Sequence, residues 1–140
     1  AVADPGANFV ALAQSRGFRV QPLVGPSSLL LALMASGLNG QRFAFHGYLS
    51  AKDGERQKEL RELESESRNR GQTQIFIETP YRNRQLFDAM IRSCRPATRI
   101  TVATELSLPG EEIRTHTAAA WKGLPPPDID RRPTVFLMLA

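Results

Sequence analysis

The sequence predicts an α/β fold: a two-layer domain with a mixed five-stranded sheet, preceded by one further helix and strand. Three observations carry this reading. Segments with apolar residues at helical spacing alternate with short apolar runs bounded by Gly, Pro and Asp. The strand-like runs at 99–104 and 112–116 are joined by a stretch too short for a crossover helix, so that pair is antiparallel and the sheet is mixed. Gly25-Pro26-Ser27-Ser28 links a strand-like to a helix-like segment. Such a turn leaves backbone N–H groups free at the carboxyl edge of an open sheet, where these folds bind ligands.

Taken in order, Asp4 as N-cap and Pro5 in the first turn start a helix through Phe9, Val10, Leu12 and Ala13, which Gly17 ends. Residues 19–24 read as a strand. A helix capped by the Ser27 hydroxyl runs from there to Gly37. Residues 42–46 form a short strand with Phe43 and Phe45 on one face. Residues 55–68 form a weakly amphipathic surface helix anchored by Leu60 and Leu63, its Glu/Arg pairs worth about 0.3–0.5 kcal/mol each.

Residues 74–78 are a strand leading into Thr79-Pro80, with Thr79 as cap of the helix 81–93. Leu86, Phe87, Met90 and Ile91 make that helix's inner face, and Pro96 breaks it. Residues 118–121 allow a short helix, Leu124-Pro125-Pro126-Pro127 a stiff polyproline loop, and residues 134–139 a closing apolar strand.

Composition narrows the function. No apolar run approaches the ~18 residues of a membrane span, and no signal peptide is expected. Cys94 is the single cysteine and His46 and His116 are far apart, so neither a disulfide nor a metal site is expected. A cytoplasmic location fits. The net charge is +4, and among the 18 Lys and Arg only Lys52, Lys58 and Lys122 are lysine. Arginine suits phosphate and carboxylate recognition, although many of these arginines sit beside glutamates on the 55–70 helix.

No Gly-x-Ser-x-Gly elbow, Walker loop or Gly-x-Gly-x-x-Gly fingerprint is present. What remains is a set of strand ends carrying small or polar residues: Gly25 to Ser28, His46-Gly47, Glu78-Thr79 and Thr104-Glu105. Strands ending on one edge would gather them around a ligand. Ser27 and Ser28 can equally be a helix cap worth ~1 kcal/mol, and His46 by itself reads as a hydrogen-bonded structural residue.

Five motifs in order carry a family resemblance: Asp4-Pro5-Gly6; Leu23-Val24-Gly25-Pro26-Ser27-Ser28 before a Leu-rich helix ending Ala35-Ser36-Gly37-Leu38; Phe45-His46-Gly47-Tyr48-Leu49; Ile75-Phe76-Ile77-Glu78-Thr79-Pro80-Tyr81-Arg82; and Ala103-Thr104-Glu105-Leu106 with the closing Pro133-Thr134-Val135-Phe136-Leu137. The chain resembles the tetrapyrrole methylase family of S-adenosylmethionine-dependent methyltransferases, and most of all the branch that methylates a cytidine ribose 2′-oxygen in small-subunit ribosomal RNA. Members have two α/β domains with the cofactor between them. The resemblance implies that residues 1–24 are a helix and strand remnant of a Rossmann-like N-terminal cofactor-binding domain and residues 25–140 a C-terminal domain.

The same resemblance implies S-adenosylmethionine as cofactor and places Val2, Gly25, Pro26, Ser27, Ser28, Glu78, Leu106, Pro133 and Thr134 beside it. None of these is Lys or Arg, as a sulfonium neighbour requires. His46, Tyr81, Arg82 and Glu105 are implied on the substrate side, with no catalytic residue assigned, because in-line methyl transfer depends chiefly on proximity and alignment. The chain departs from the ribose-methylating branch at Thr104 and Leu108, where that branch has Arg and Lys, which removes two cations beside the cleft.

The expected activity is methyl transfer to ribosomal RNA. The alternatives are a tetrapyrrole or other small anionic acceptor, and a non-catalytic interaction domain. The isolated chain is expected to be inactive with half a cleft, and its Phe9 and Leu12 surface implies a homo-oligomer.

Overall fold

The computed structural model describes residues 2–140. Its elements are α1 (Ala7–Ser15), α2 (Ser28–Ser36), β1 (Phe43–Tyr48), α3 (Asp53–Arg70), β2 (Thr73–Ile77), a 3-10 turn (Pro80–Arg82), α4 (Asn83–Ser93), β3 (Arg99–Thr104), β4 (Glu112–Thr117), α5 (Ala118–Lys122) and β5 (Thr134–Leu139). The five strands form one sheet in the order β1-β2-β5-β3-β4. β1 and β2 are parallel, and β5 is antiparallel to both of its neighbours, β2 and β3. β3 and β4 form the expected antiparallel pair. β1, β2 and β3 therefore all end on one edge of the sheet, and β4 and β5 start there.

The alternation of side chains along each strand divides the core in two. Phe76, Ile100, Val102, Phe136 and Met138 point toward α3, α4 and α5. Ile75, Ala103, Val135 and Leu137 point the other way and meet Ala32 and Leu33 of α2. Phe76 and Phe136 stand opposite each other in register with their rings stacked at 6.5 Å. The Trp121 indole N–H donates to the Ile100 carbonyl at 3.0 Å, and its ring meets Phe87 edge-on at 5.2 Å, a contact worth about 0.5–1.5 kcal/mol beyond burial. The Thr115 hydroxyl donates to the Ser36 carbonyl at 2.8 Å and ties the end of α2 to β4.

α3 buries more polarity than its sequence suggests. Leu60 is its main apolar anchor, but Arg56, Glu64 and Ser67 are also buried. Glu64 accepts hydrogen bonds from the Arg95 N–H at 2.6 Å and the Thr98 hydroxyl at 2.5 Å, fastening the loop between α4 and β3. A carboxylate that takes two donors removes the cost of burying them.

Four local expectations are corrected. Residues 19–24 form no strand; they are exposed, because no strand of this chain lies alongside to take their N–H and C=O groups. α1 begins at Ala7 with Gly6 as N-cap, while Asp4 instead accepts from the Gly6 N–H at 2.9 Å. Ser27 caps α2 through its backbone and makes no side-chain cap bond. Thr79 makes none either, because its hydroxyl donates to Glu78. No helix among the described residues is long and apolar enough to cross a membrane.

Cys94 is buried against Met138. Burial, reinforced by the Glu64 charge, pushes its thiol up to about 12. A group whose acidity is suppressed by folding adds stability below its unfolded value and loses it as pH rises through the folded value. Denaturant titrations should therefore show stability falling from about pH 9 upward, and Cys94 should resist thiol reagents at pH 8 until the chain unfolds. Rapid labelling of the native protein would contradict this burial.

Candidate functional site

The edge where β1, β2 and β3 end carries two adjoining clefts. The first, about 250 Å³, has a floor of Ile77, Ala103 and Val135, with Ser28, Leu106 and Thr134 around it. The second, about 550 Å³, lies between α2 and the N-terminal segment and is lined by Val2, Gly25, Pro26 and Ser27. Ser28 and Ile77 line both, so the two are continuous. The larger space reaches the 300–1,000 Å³ range of small-molecule sites.

Register explains the floor. Val135 pairs with Ile77 on one side and Ala103 on the other, so three consecutive strands put small or medium apolar side chains at one level. No Lys or Arg among the described residues lines either cleft.

Glu78 follows β2 directly and lines the first cleft with its side chain fully buried. Its Oε1 accepts from the Thr79 N–H at 2.6 Å, the Thr79 hydroxyl at 3.1 Å, and Arg82 Nη2 at 2.9 Å and Nε at 3.1 Å. Its Oε2 is buried with no partner among the described residues. Such an orphan acceptor costs about 1–3 kcal/mol, which a ligand donor would recover.

Glu105 lines the same cleft from the loop after β3. Its N–H donates to the Pro133 carbonyl at 2.8 Å, and its Oε2 accepts from Arg132 Nη2 at 2.8 Å. That hydrogen bond holds the Glu105 carboxyl below its ordinary value against a smaller opposing effect of burial. The acid is therefore ionised and tethered, which suits orientation better than proton abstraction. A β-carbon at Gly110 would overlap the Glu105 carboxylate, so a side chain there would push the ends of Glu105 and Arg132 aside.

Asn83 is a supporting residue that the sequence did not single out. It is buried, and its Nδ2 donates to the carbonyls of Ile129 and Arg132 at 3.0 and 2.7 Å, fixing the loop that delivers Pro133 and Thr134. A polar residue opening a helix whose inner face is otherwise apolar was the available signal.

Strain gathers at the same edge. The non-glycine residues with left-handed backbones are Ala3, Glu105, Ser107 and Arg131, at φ values of 53°, 49°, 66° and 56°. Ala3 lines the second cleft, Glu105 the first, and Ser107 sits between two lining residues, Leu106 and Leu108. Each such residue costs about 1–2 kcal/mol, and strain of this kind concentrates at functional sites.

The structure thus brings Ser28, Glu78, Leu106, Pro133 and Thr134 together in one cleft, with Val2, Gly25, Pro26 and Ser27 in its neighbour. Glu105 joins them. His46 does not: Gly47, at φ 67°, accompanies a register shift in β1, and His46 lies in a separate cleft with Glu59, Glu62 and Glu66 of α3. Its Nε2 meets Gln74 Oε1 at 2.5 Å. Tyr81 stands on the rim beside Pro80 with 67% of its surface exposed, the Arg82 guanidinium 5.5 Å from its ring centre.

Comparison with known proteins extends this geometry. The ribosomal RNA small subunit methyltransferase I of Mesorhizobium japonicum is 38% identical over 119 residues, covering 85% of this chain and 39% of that protein. The proteins of the same name from Xylella fastidiosa and Bacillus subtilis are 33% and 37% identical over 138 and 112 residues, covering 99% and 80% of this chain. The chain spans 49% and 37% of those two proteins, less than half in each case.

Among solved structures, the methyltransferase CobJ matches with a TM-score of 0.59 at 22% identity, over 96% of this chain and 58% of that one. A conserved hypothetical protein of Aeropyrum pernix matches at 0.66 and 14%, over 99% and 54%. The uroporphyrin-III C-methyl transferase of Thermus thermophilus, solved with S-adenyl homocysteine, matches at 0.51 and 19%, over 96% and 58%. These identities show a shared fold. No protein-family model matches the chain. Identity of 33–38% along most of its length, on a fold common to several methyltransferases, makes this chain a relative of the ribosomal RNA small subunit methyltransferase I proteins, in keeping with the tetrapyrrole-methylase motifs it carries.

Proposed function

We propose that the chain is the carboxyl-terminal part of an S-adenosylmethionine-dependent methyltransferase that modifies a ribose 2′-oxygen of ribosomal RNA. The observation that carries this is the meeting of the implied cofactor positions at one strained edge without a lining cation. The fit to the cofactor is chemical as well as spatial. Ile77, Leu106 and Val135 offer apolar walls for an adenine, Ser28 offers a hydroxyl, and the orphan Glu78 Oε2 offers an acceptor for an N–H or O–H. When bound, S-adenosylmethionine supplies an electrophilic methyl group on a sulfonium. The residues of this chain hold and orient the nucleoside portion and keep water from the apolar floor, which is where proximity gains arise.

The names of the sequence relatives support RNA as acceptor. A cytoplasmic location follows from the RNA reading. We also propose a homo-oligomer, from a separate observation: α1 buries none of its residues and presents Phe9, 76% exposed, beside Leu12. Burying a Phe and a Leu is worth about 1.5–3 kcal/mol each, and patches of this kind mark contact surfaces. Sedimentation equilibrium should give a dimer or larger species that the Phe9→Asp, Leu12→Asp variant converts to monomer; a parent chain that is strictly monomeric at high concentration would contradict it.

The cofactor reading is tested by titrating S-adenosylhomocysteine into the 15N-labelled chain. Chemical-shift changes should centre on Ser28, Ile77, Glu78, Leu106 and Thr134. Affinity should be weak, no tighter than about millimolar, because pockets bury most of a tightly held ligand and this cleft is walled on one side. Shifts confined to the α3–α4 face, or none at all, would leave the interaction-domain reading; a micromolar Kd would show that the chain holds a complete site.

A further inference from the structure

A ribose 2′-oxygen in RNA lies between two phosphates, yet among the described residues neither cleft is lined by a cation. The phosphate contacts must come from the rim. Three arginines stand there, and two are committed. Arg132 is bonded to both Glu105 and Asp128. Arg82 is held by the buried Glu78. Arg131 is exposed and makes no ion pair among the described residues. Its backbone N–H donates to the Pro80 carbonyl at 3.3 Å, which fixes it beside the turn that carries Tyr81.

The backbone of Arg131 is left-handed, at φ 56°, where glycine would be free of strain and arginine is not. A strained position that nonetheless holds a long cationic side chain points to a use for that side chain. Tyr81 is its complement: a large aromatic ring, mostly exposed, mounted on a short rigid turn and backed by the Arg82 guanidinium. Exposed aromatics beside free cations are how proteins hold unpaired nucleotides, the ring stacking on the base and the cation meeting the phosphate.

From this juxtaposition, and resting on the RNA reading above, we infer that Tyr81 and Arg131 form a nucleotide subsite at the mouth of the first cleft. Tyr81 stacks on an unpaired base of the substrate RNA, Arg131 neutralises the adjoining phosphate, and Glu78 acts through Arg82 to position the ring. The subsite binds RNA without taking part in bond making.

The test is fluorescence anisotropy of a labelled ten-nucleotide single-stranded RNA with the 140-residue chain across a salt series. Tyr81→Ala should weaken binding fivefold or more, in line with base stacking, while Tyr81→Phe stays within twofold of the parent. Arg131→Gly should lower the slope of log affinity against log salt by about 0.7, the value for one phosphate on a single strand. Arg131→Lys should restore that slope. The thermal midpoint should not fall in Arg131→Gly, since the substitution relieves strain, so a binding loss there cannot be attributed to unfolding.

Equal affinity for parent, Tyr81→Ala and Arg131→Gly, or no binding by the folded parent at millimolar concentration, would overturn the subsite. The cofactor titration separates this from the reading it rests on. Shifts at the cleft with unaltered RNA affinity in the variants remove the subsite and leave methyl transfer standing. Variant-sensitive RNA binding without cofactor shifts supports the subsite and removes methyl transfer.

Discussion

The insertion of β5 between β2 and β3 is the constraint on which the rest of the structure depends. All six of its residues are buried, so the strand must be apolar on both faces, and Thr134 to Leu139 are chosen accordingly. Because β5 runs antiparallel to both neighbours, its first residues lie beside their last ones. The register that pairs Phe136 with Phe76 in the core also pairs Val135 with Ile77 and Ala103 at the edge. The loop ending at Pro133 is thereby delivered between Glu78 and Glu105. Moving β5 to an outside position would separate those two residues and abolish the cleft floor.

Charge at this edge is used mainly to build it. The pairs Glu78–Arg82 and Glu105–Arg132–Asp128 fasten loops to strand ends, and each leaves the cleft wall itself free of cations. Isolated surface ion pairs contribute little, but Glu78–Arg82 and Glu105–Arg132 are part buried and joined to backbone bonds, and Asn83 secures the same loop from beneath. The left-handed Glu105 is held by this network, while the Ser107 N–H donates to Glu111 at 2.7 Å and the Arg131 N–H to the Pro80 carbonyl at 3.3 Å. A preorganised wall that carries carboxylates and no cation suits a cationic ligand, whereas an anionic one has to be gripped from outside it.

Much of the fold was legible in the sequence because it is local. The strands at 99–104 and 134–139 were bounded by Pro, Gly and Asp signals, and the inner face of α4 by helical spacing. The strand order was not legible, since β2 and β5 are distant in sequence and nothing short-range specifies their pairing. Residues 19–24 carry strand-like composition, but a strand exists only with a neighbour, and this chain provides none.

The strand-end pattern already gathered Ser28, Glu78 and Glu105, whereas Leu106 and Thr134 could be reached only through the resemblance, because no spacing rule links them to the others. His46 could have been separated by parity: Phe45 packs with the α2 face, so the next residue must turn to the α3 face. The buried Glu64 and Asn83 went unnoticed because composition marks such residues as surface, and only the loops they bind explain their burial.

We propose that the edge formed by β2, β5 and β3 receives the adenosyl group. Ultraviolet crosslinking of radiolabelled S-adenosylmethionine to the chain, followed by peptide mapping, tests this most directly. Label should fall on the peptides containing Ile77 to Pro80 and Pro133 to Val135. Label on α3, or spread evenly over the surface, would contradict the account.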